Sequence, residues 1–379
     1  MNRQFINDYD SLIVGGGLVG AAIATGLAGS GRRVAIFDGG DRDFRASRGN
    51  FGLVWVQGKG ADYAPYARWS GIAARAWPAF AQSLLEATRV DVGLQQTGGL
   101  DFCLDETEWD ARDSEMRRVQ AHTDGEFEFQ MLDNAELREW IPQVSERVLG
   151  ACFSPRDGHV NPLYLLRALH QRLSDLGADY FPSRPVLSTT PDGGGFRVDT
   201  ATDRYTAGQV VFCAGLANQR LARDVEMDIP VRPLRGQLLI TERVPSFLPC
   251  ASVQVRQTRE GTLQIGDSHE DAGFDESTTL DVITQLAARA VRIFPHLEAV
   301  RLQRAWGALR VMTPDGLPVY QQSSRYPGAF AVSCHSGVTL AALHAGAVAE
   351  WIDGSRMHPL IADFSATRFD VSATRQRRA

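Results

Sequence analysis

Hydrophobic and polar positions along the chain come in blocks that predict an α/β protein. A short apolar strand, Leu12 to Val14, runs into Gly15-x-Gly17-x-x-Gly20, then a helix of small residues, then a second apolar strand, Val34 to Phe37, ending at Asp38. Residues 65–92 repeat Ala, Leu and Trp on one helical face, and 107–121 and 134–140 are predicted as further amphipathic helices. Asn161 and Pro162 signal a helix start and Gly177 its stop. The strand "QVVFCAG" then runs into Gly215, a second strand-to-helix junction. Between 231 and 274 the pattern turns strand-rich, with "VRPLRGQLLITER", "SVQVRQT" and "TLQIGDS", and "REG" reads as a hairpin turn. A helix follows over 280–294, then "LQRAWGALRVMTPDGLPVY", then a strand "GAFAVSCHSG" feeding a helix "VTLAALHAGAVAEWI". No repeat or low-complexity segment interrupts this order. The first and last blocks therefore belong to one domain assembled from separate pieces, with a more β-rich domain inserted between them.

The apolar stretch from Leu12 to Ala28 resembles a signal-peptide core or a membrane span. Its glycines, the acidic Asp8 and Asp10 ahead of it, and Arg32 and Arg33 behind it fit neither. A cytoplasmic protein without an integral membrane segment is expected. At 379 residues the chain suits two intertwined domains. A net charge of −6 argues against nucleic acid as a partner, since a phosphate-binding surface is basic. Of the 39 lysines and arginines only Lys59 is a lysine, a bias that reflects genome composition. The five cysteines never take C-x-x-C spacing, so a disulfide framework, a zinc site and a self-contained iron–sulfur site are not expected.

The glycine motif carries the first chemistry. Gly15 makes the tight turn, Gly17 lets the backbone approach a pyrophosphate, and Gly20 lets the helix pack closely on the strand. The start of that helix, at Leu18 and Val19, offers free N–H groups and its dipole to phosphates. Asp38 is placed to bond an adenosine ribose and disfavours a 2′-phosphate, hence NADP. The motif alone leaves FAD and NAD open.

"GGGLVG…FDGG", "ASRGNFG", "GHVNP", "RGQ", "GALRVMTPDGLPVY" and "CHSGVTLAALHAG" follow in the order seen in D-amino acid oxidase-like (DAO) flavoproteins. The resemblance runs from about Tyr9 to Ile352, and "NFGLVWVQGKG" is most similar to the branch of opine oxidase and hydroxyproline dehydrogenase β subunits. Glycine and sarcosine oxidases and the flavoprotein component of hydrogen cyanide synthase share the group. The resemblance implies an α/β, Rossmann-like FAD-binding domain of the glutathione reductase type built from 1–80, 145–225 and 305–379. An inserted α+β substrate domain on an antiparallel sheet takes 81–144 and 226–304. It further implies oxidation of the CH–NH bond of an amino acid, proline derivative or opine. The alternative is a subunit active only beside a second flavoprotein and a small iron–sulfur subunit, with FMN at their interface as a further candidate cofactor. A nicotinamide-dependent dehydrogenase is the competing class, and "SRGNFG" with the C-terminal motif argues against it.

Site residues follow from the same resemblance. Ser47, Arg48, Asn50 and Phe51 would contact the flavin and pyrophosphate, with Gly52 as a close-approach position. Val186, Ala214, Gly215 and Gly236 complete the cofactor wall, and Arg235 and Gln237 would lie beside it, with Arg235 as a structural ion-pair partner the alternative. Gly337, Val338 and Thr339 would place a helix N-terminus against the reduced ring. Arg310 occupies the position of a carboxylate-binding arginine, where bidentate geometry suits the substrate, or else joins the two domains by a salt bridge. His335 is a flavin or substrate neighbour or a packed histidine. Sarcosine oxidase-like members carry their FAD-tethering cysteine where this chain has Ala308, so FAD is expected to be non-covalent. His269 and Glu270 are further pocket candidates, and no metal site is expected. Lys59 reads as a solvated loop residue or as a neighbour of the flavin edge or a partner's cofactor.

Overall fold

The strand Phe5–Val14 has a parallel neighbour on each side, Val34–Phe37 and Arg204–Phe212. Strands buried on both faces read as unbroken apolar runs, and Leu12, Ile13, Ala35, Ile36, Val210 and Val211 are fully buried. In this computed structural model, which describes residues 5–40 and 46–370, the sheet continues with Ala329–Ser333 on one side and Asp179–Phe181 on the other. Val319–Gln322 adds an antiparallel edge, and the hairpin Ser188–Asp192/Gly195–Asp199 pairs onto Arg204–Phe212. Positions 1–4, 41–45 and 371–379, all within segments assigned to the FAD-binding domain, lie outside the described residues. Val14 stands opposite both Phe37 and Phe212, and Phe212 opposite Ala331, so four carboxyl ends finish level. Open α/β sheets bind ligands in the crevice outside such ends.

Helices Leu18–Gly29, Ala64–Thr88 and Pro162–Asp175 and the helical run 341–353 share the core on one face. A Cβ at Gly26 would lie 2.2 Å from Ala345 O, so glycine there lets two helices meet backbone to backbone. The C-terminal run, expected as a plain helix, contains a π-turn at His344–Val348. The helix expected over 65–92 stops at Thr88, because Arg89 takes a left-handed φ of 60° and ends the hydrogen-bond ladder. The expected helices elsewhere are present as Glu106–His122, Asn134–Trp140 and Leu280–Ile293. Gly261, with φ of 92°, makes the turn of the hairpin Val255–Gln257/Thr262–Ile265.

A separate core lies between two four-stranded sheets. One is ordered Val255–Gln257, Thr262–Ile265, Arg232–Arg243, Leu302–Met312; the other Ala251–Ser252, Gly99–Cys103, Gly150–Ser154, Gln130–Asp133. Leu100, Phe102, Leu239, Leu263 and Phe294 fill it, with Leu280–Ile293 laid across. Arg232–Arg243 and Leu302–Met312 pair antiparallel from Arg232 opposite Met312 to Thr241 opposite Leu302. This ribbon joins the two halves, since Val311 belongs to the parallel-sheet core and Leu239 to the second. Among the described residues no helix is long and apolar enough to cross a membrane.

Candidate active site

At the level strand ends the glycine turn forms as its spacing requires. Gly15 has φ of 111°, and a Cβ there would lie 2.4 Å from Cys213 O; a Cβ at Gly20 would lie 2.0 Å from Gly15 O. Gly17 faces only the Ser47 hydroxyl, which accepts a hydrogen bond from Leu18 N at 2.9 Å and so sits at the helix start. The Asp38 carboxylate folds back on the turn, accepting from Gly16 N and Gly40 N, both at 2.9 Å. A cavity of about 170 Å³ opens here, walled by Gly15, Gly17, Leu18, Val19, Asp38, Ser47, Arg48 and Asn50. Val186, Ala214, Gly215 and Gly337 close its far side.

Two side chains that the sequence pattern does not single out hold this cradle. The His170 imidazole donates to Gly16 O at 2.8 Å. Asn218, fully buried, accepts from Ala214 N at 2.8 Å and donates to Phe212 O, Val332 O and Ser333 Oγ. Asn218 thereby clamps the ends of two neighbouring strands, and with them the loops that carry Gly215 and His335.

A second cavity of about 290 Å³ shares Ala46, Asn50, Val311, Cys334 and His335 with the first, so the two lie side by side across these residues. Phe51 and Lys59 reach it from the segment after the second strand, Gly236 and Arg310 from the ribbon, and Val338 and Thr339 from the last helix. Gly52 lines neither cavity. It has φ of 89°, and a Cβ would lie 2.4 Å from Val160 O, so its close approach is to the chain at Val160. The Asn50 side chain accepts from Gly52 N at 2.6 Å and closes that bend. The Thr339 hydroxyl accepts from Trp55 N at 3.2 Å and fastens the same segment to the last helix.

Side chains alternate along a strand, and this sorts "RGQ". Gly236 faces the cavity, whereas Arg235 and Gln237 turn away to Glu270: Arg235 Nη2 donates at 2.7 Å and Gln237 Nε2 at 3.0 Å. Arg235 also pairs with Asp275 at 2.5 Å. Arg235 thus takes its alternative role as a structural ion-pair partner, and with Gln237 it braces the 267–279 loop, where Glu270 is engaged too. A Cβ at Gly236 would meet the Arg310 guanidinium at 2.5 Å, so the glycine leaves the space in which Arg310 lies. Arg310 donates to Ser268 O at 2.7 Å and pairs with Asp267. His269 lines the rim, largely exposed.

His335 lies between two cations. Burial disfavours its charged form, and the positive charges of Lys59 and Arg310 add to this, lowering its pKa to about 3. The imidazole is therefore neutral at ordinary pH. Burial likewise pushes the Cys334 thiol up to about 12, so it carries no thiolate. Lys59 is no solvated loop residue: its ammonium donates to Ser336 Oγ at 2.6 Å inside the cavity.

The residues fit FAD on the structure's own terms. A cradle of glycines stands at a helix start, an acid sits at the end of the second strand, and beside them lies a chamber with largely apolar walls that holds Lys59, Arg310 and His335. A family model described as DAO, FAD dependent oxidoreductase, matches residues 10–351. The chain is 44% identical over 363 residues to an opine oxidase subunit of Agrobacterium tumefaciens (strain Ach5), covering 96% of this chain and 98% of that one. It is 43% identical to the corresponding opine oxidase subunit of Rhizobium meliloti, over 96% of this chain and 98% of the relative. The crystal structure of glycine oxidase from Geobacillus kaustophilus superposes with a TM-score of 0.87 at 28% identity, covering 96% of this chain and 99% of that one. The chain belongs to the DAO family of FAD-dependent oxidoreductases.

Proposed function

We propose that the chain is the amine-oxidising subunit of a hetero-oligomeric enzyme acting on an opine, an N-(carboxyalkyl) amino acid, or a related amino acid. The substrate loses a hydride from Cα and a proton from nitrogen, and water hydrolyses the resulting imine. FAD supplies the two-electron acceptor for that hydride. Gly15, Gly17, Leu18, Val19, Ser47 and Arg48 would hold its pyrophosphate, Asp38 its ribose, and Val186, Ala214 and Gly215 the adjoining wall. Asn50, Phe51, Gly236, Val338 and Thr339 would frame the ring, with Gly337 at the turn between the two cavities. Gly20 and Gly52 hold the backbone that carries these contacts. Ala308 offers no nucleophile, in keeping with non-covalent attachment.

Arg310 binds the substrate carboxylate in competition with Asp267. His335, kept neutral by burial and by the charges of Lys59 and Arg310, adds no charge to the chamber, and its Nε2 is held by Ser336 Oγ at 3.1 Å, so it acts as a fixed wall beside the substrate. The parallel sheet supports an FAD-binding domain formed from 1–80, 145–225 and 305–379, and the two four-stranded sheets, one antiparallel and one mixed, support a substrate domain from 81–144 and 226–304, with strands Gly150–Ser154 and Leu302–Met312 shared across that division. The Agrobacterium and Rhizobium relatives are, by name, single subunits of an opine oxidase, which supports partner chains here. A second flavoprotein and a small iron–sulfur chain are the proposed ones.

The observation that carries this reading is a cavity holding Arg310 that adjoins the glycine cradle and shares five wall residues with it. Anaerobic mixing of the purified protein with opines, glycine, sarcosine, proline derivatives and D-amino acids tests it, followed by flavin absorbance at about 450 nm. Bleaching by one class supports the reading. A yellow protein that none bleaches, alone or with partner subunits, overturns it.

A further inference from the structure

Lys59 stands out on three independent counts. It is the chain's single lysine among 39 basic side chains, it lines the cavity, and among the described residues no carboxylate pairs with it. Its ammonium donates to Ser336 Oγ at 2.6 Å and to the Tyr66 hydroxyl at 3.4 Å, and lies 5.6 Å from the centre of the Tyr66 ring. Ser336 and Tyr66 are both more than nine-tenths buried, so these partners are fixed in place. Tyr66 and Ser336 also bond to each other at 2.8 Å.

The backbone under Lys59 is equally constrained. Gly58 and Gly60 take φ of 73° and 75°, and a Cβ at Gly60 would lie 2.1 Å from Ala67 N. The buried Asp157 accepts from Val56 N at 2.5 Å and from Gln57 Nε2 at 2.6 Å, and His122 bonds Gly60 O at 2.9 Å. An ammonium with three donors, two of them spent on hydroxyls, keeps one for the cavity. A planar guanidinium, the basic group used everywhere else in the chain, would not fit two hydroxyls in this way. Arg310 has its counter-charge in Asp267, whereas among the described residues no carboxylate lies within ion-pair distance of Lys59, whose charge reaches the buried Asp157 only through space.

We propose that Lys59 is a second carboxylate anchor, which selects amines carrying a carboxylate on each side of the nitrogen over those carrying one. Arg310 takes the carboxylate on the oxidised carbon and Lys59 the one on the N-substituent, with neutral His335 between them. This assignment rests on the amine-oxidising reading above and narrows it to N-(carboxyalkyl) amino acids.

The test measures binding apart from turnover. Diglycolate has two carboxylates flanking an ether oxygen and no amine to oxidise; methoxyacetate is its one-carboxylate counterpart. Calorimetric titration of the FAD-loaded protein should show diglycolate binding at least about 10-fold more tightly, the worth of one charge-assisted contact. Lys59→Met should abolish that preference, Lys59→Gln, which keeps a bond to Ser336, should do the same, and Lys59→Arg should retain part of it. Equal binding of both probes by the unsubstituted protein, or an undiminished preference in well-folded Lys59→Met and Lys59→Gln, overturns the proposal. Flavin bleaching by iminodiacetate and by sarcosine is recorded in parallel. Bleaching without a Lys59-dependent preference removes this anchor and leaves amine oxidation standing. A Lys59-dependent preference in a protein that no amine bleaches keeps the dicarboxylate site and removes amine oxidation.

Discussion

A methyl group added at Gly236 would lie 2.5 Å from an Arg310 nitrogen, so Gly236→Ala acts on chemistry through a neighbour. It should cut kcat/KM for a carboxylate substrate by about 10-fold or more while leaving the melting temperature nearly unchanged, because the guanidinium can swing but the fold need not. Arg310→Ala should cost roughly 100-fold, mostly in KM, as expected for a lost charge-assisted pair. Asp267→Asn removes the competing anion and should lower KM several-fold in steady-state assays. The glycines of the cradle are legible in the sequence because each is demanded by a local turn. Asp267 is not, since nothing near "GDSHED" indicates that an arginine 43 positions away lies against it.

At the scale of elements, buried polar side chains do the joining. Asn218 reaches Ser333, 115 positions away, and His170 reaches Gly16, 154 positions away. Each stands beside other polar residues on its helix, Gln171 and Arg172 or Gln219 and Arg220, and no local pattern separates it from a surface position. Asn218→Leu leaves Ala214 N and two strand-end carbonyls without that partner; it should cost about 3 kcal/mol or more in a urea unfolding series and weaken FAD retention. The strand expected at "RGQ" is present, but its faces are not separable from sequence. Which side of a strand meets a ligand depends on register with a distant partner, here Leu302–Met312.

For the whole molecule, buried titratable groups set the response to acid. Burial lowers the pKa of His159 and of His344 to about 3, so the unfolded chain takes up these protons near the ordinary value of about 6.5 while the native one does not. Each costs stability as pH falls from about 6.5 toward 3, by up to about 1.4 kcal/mol per pH unit. Asp157 works the other way: burial raises it to about 7, so it favours the native state as pH falls from about 7 toward 4. The net expectation is a falling melting temperature between pH 6.5 and 5. Asp157→Asn should steepen that fall, which thermal unfolding across the range reads directly.

Because the sole lysine projects into the chamber, ordinary acylating esters become cavity-directed reagents. Such an ester finds no competing side-chain amine anywhere on the surface. A label placed on Lys59 would report from inside the chamber, and its rate of attachment would follow whatever opens or fills that space.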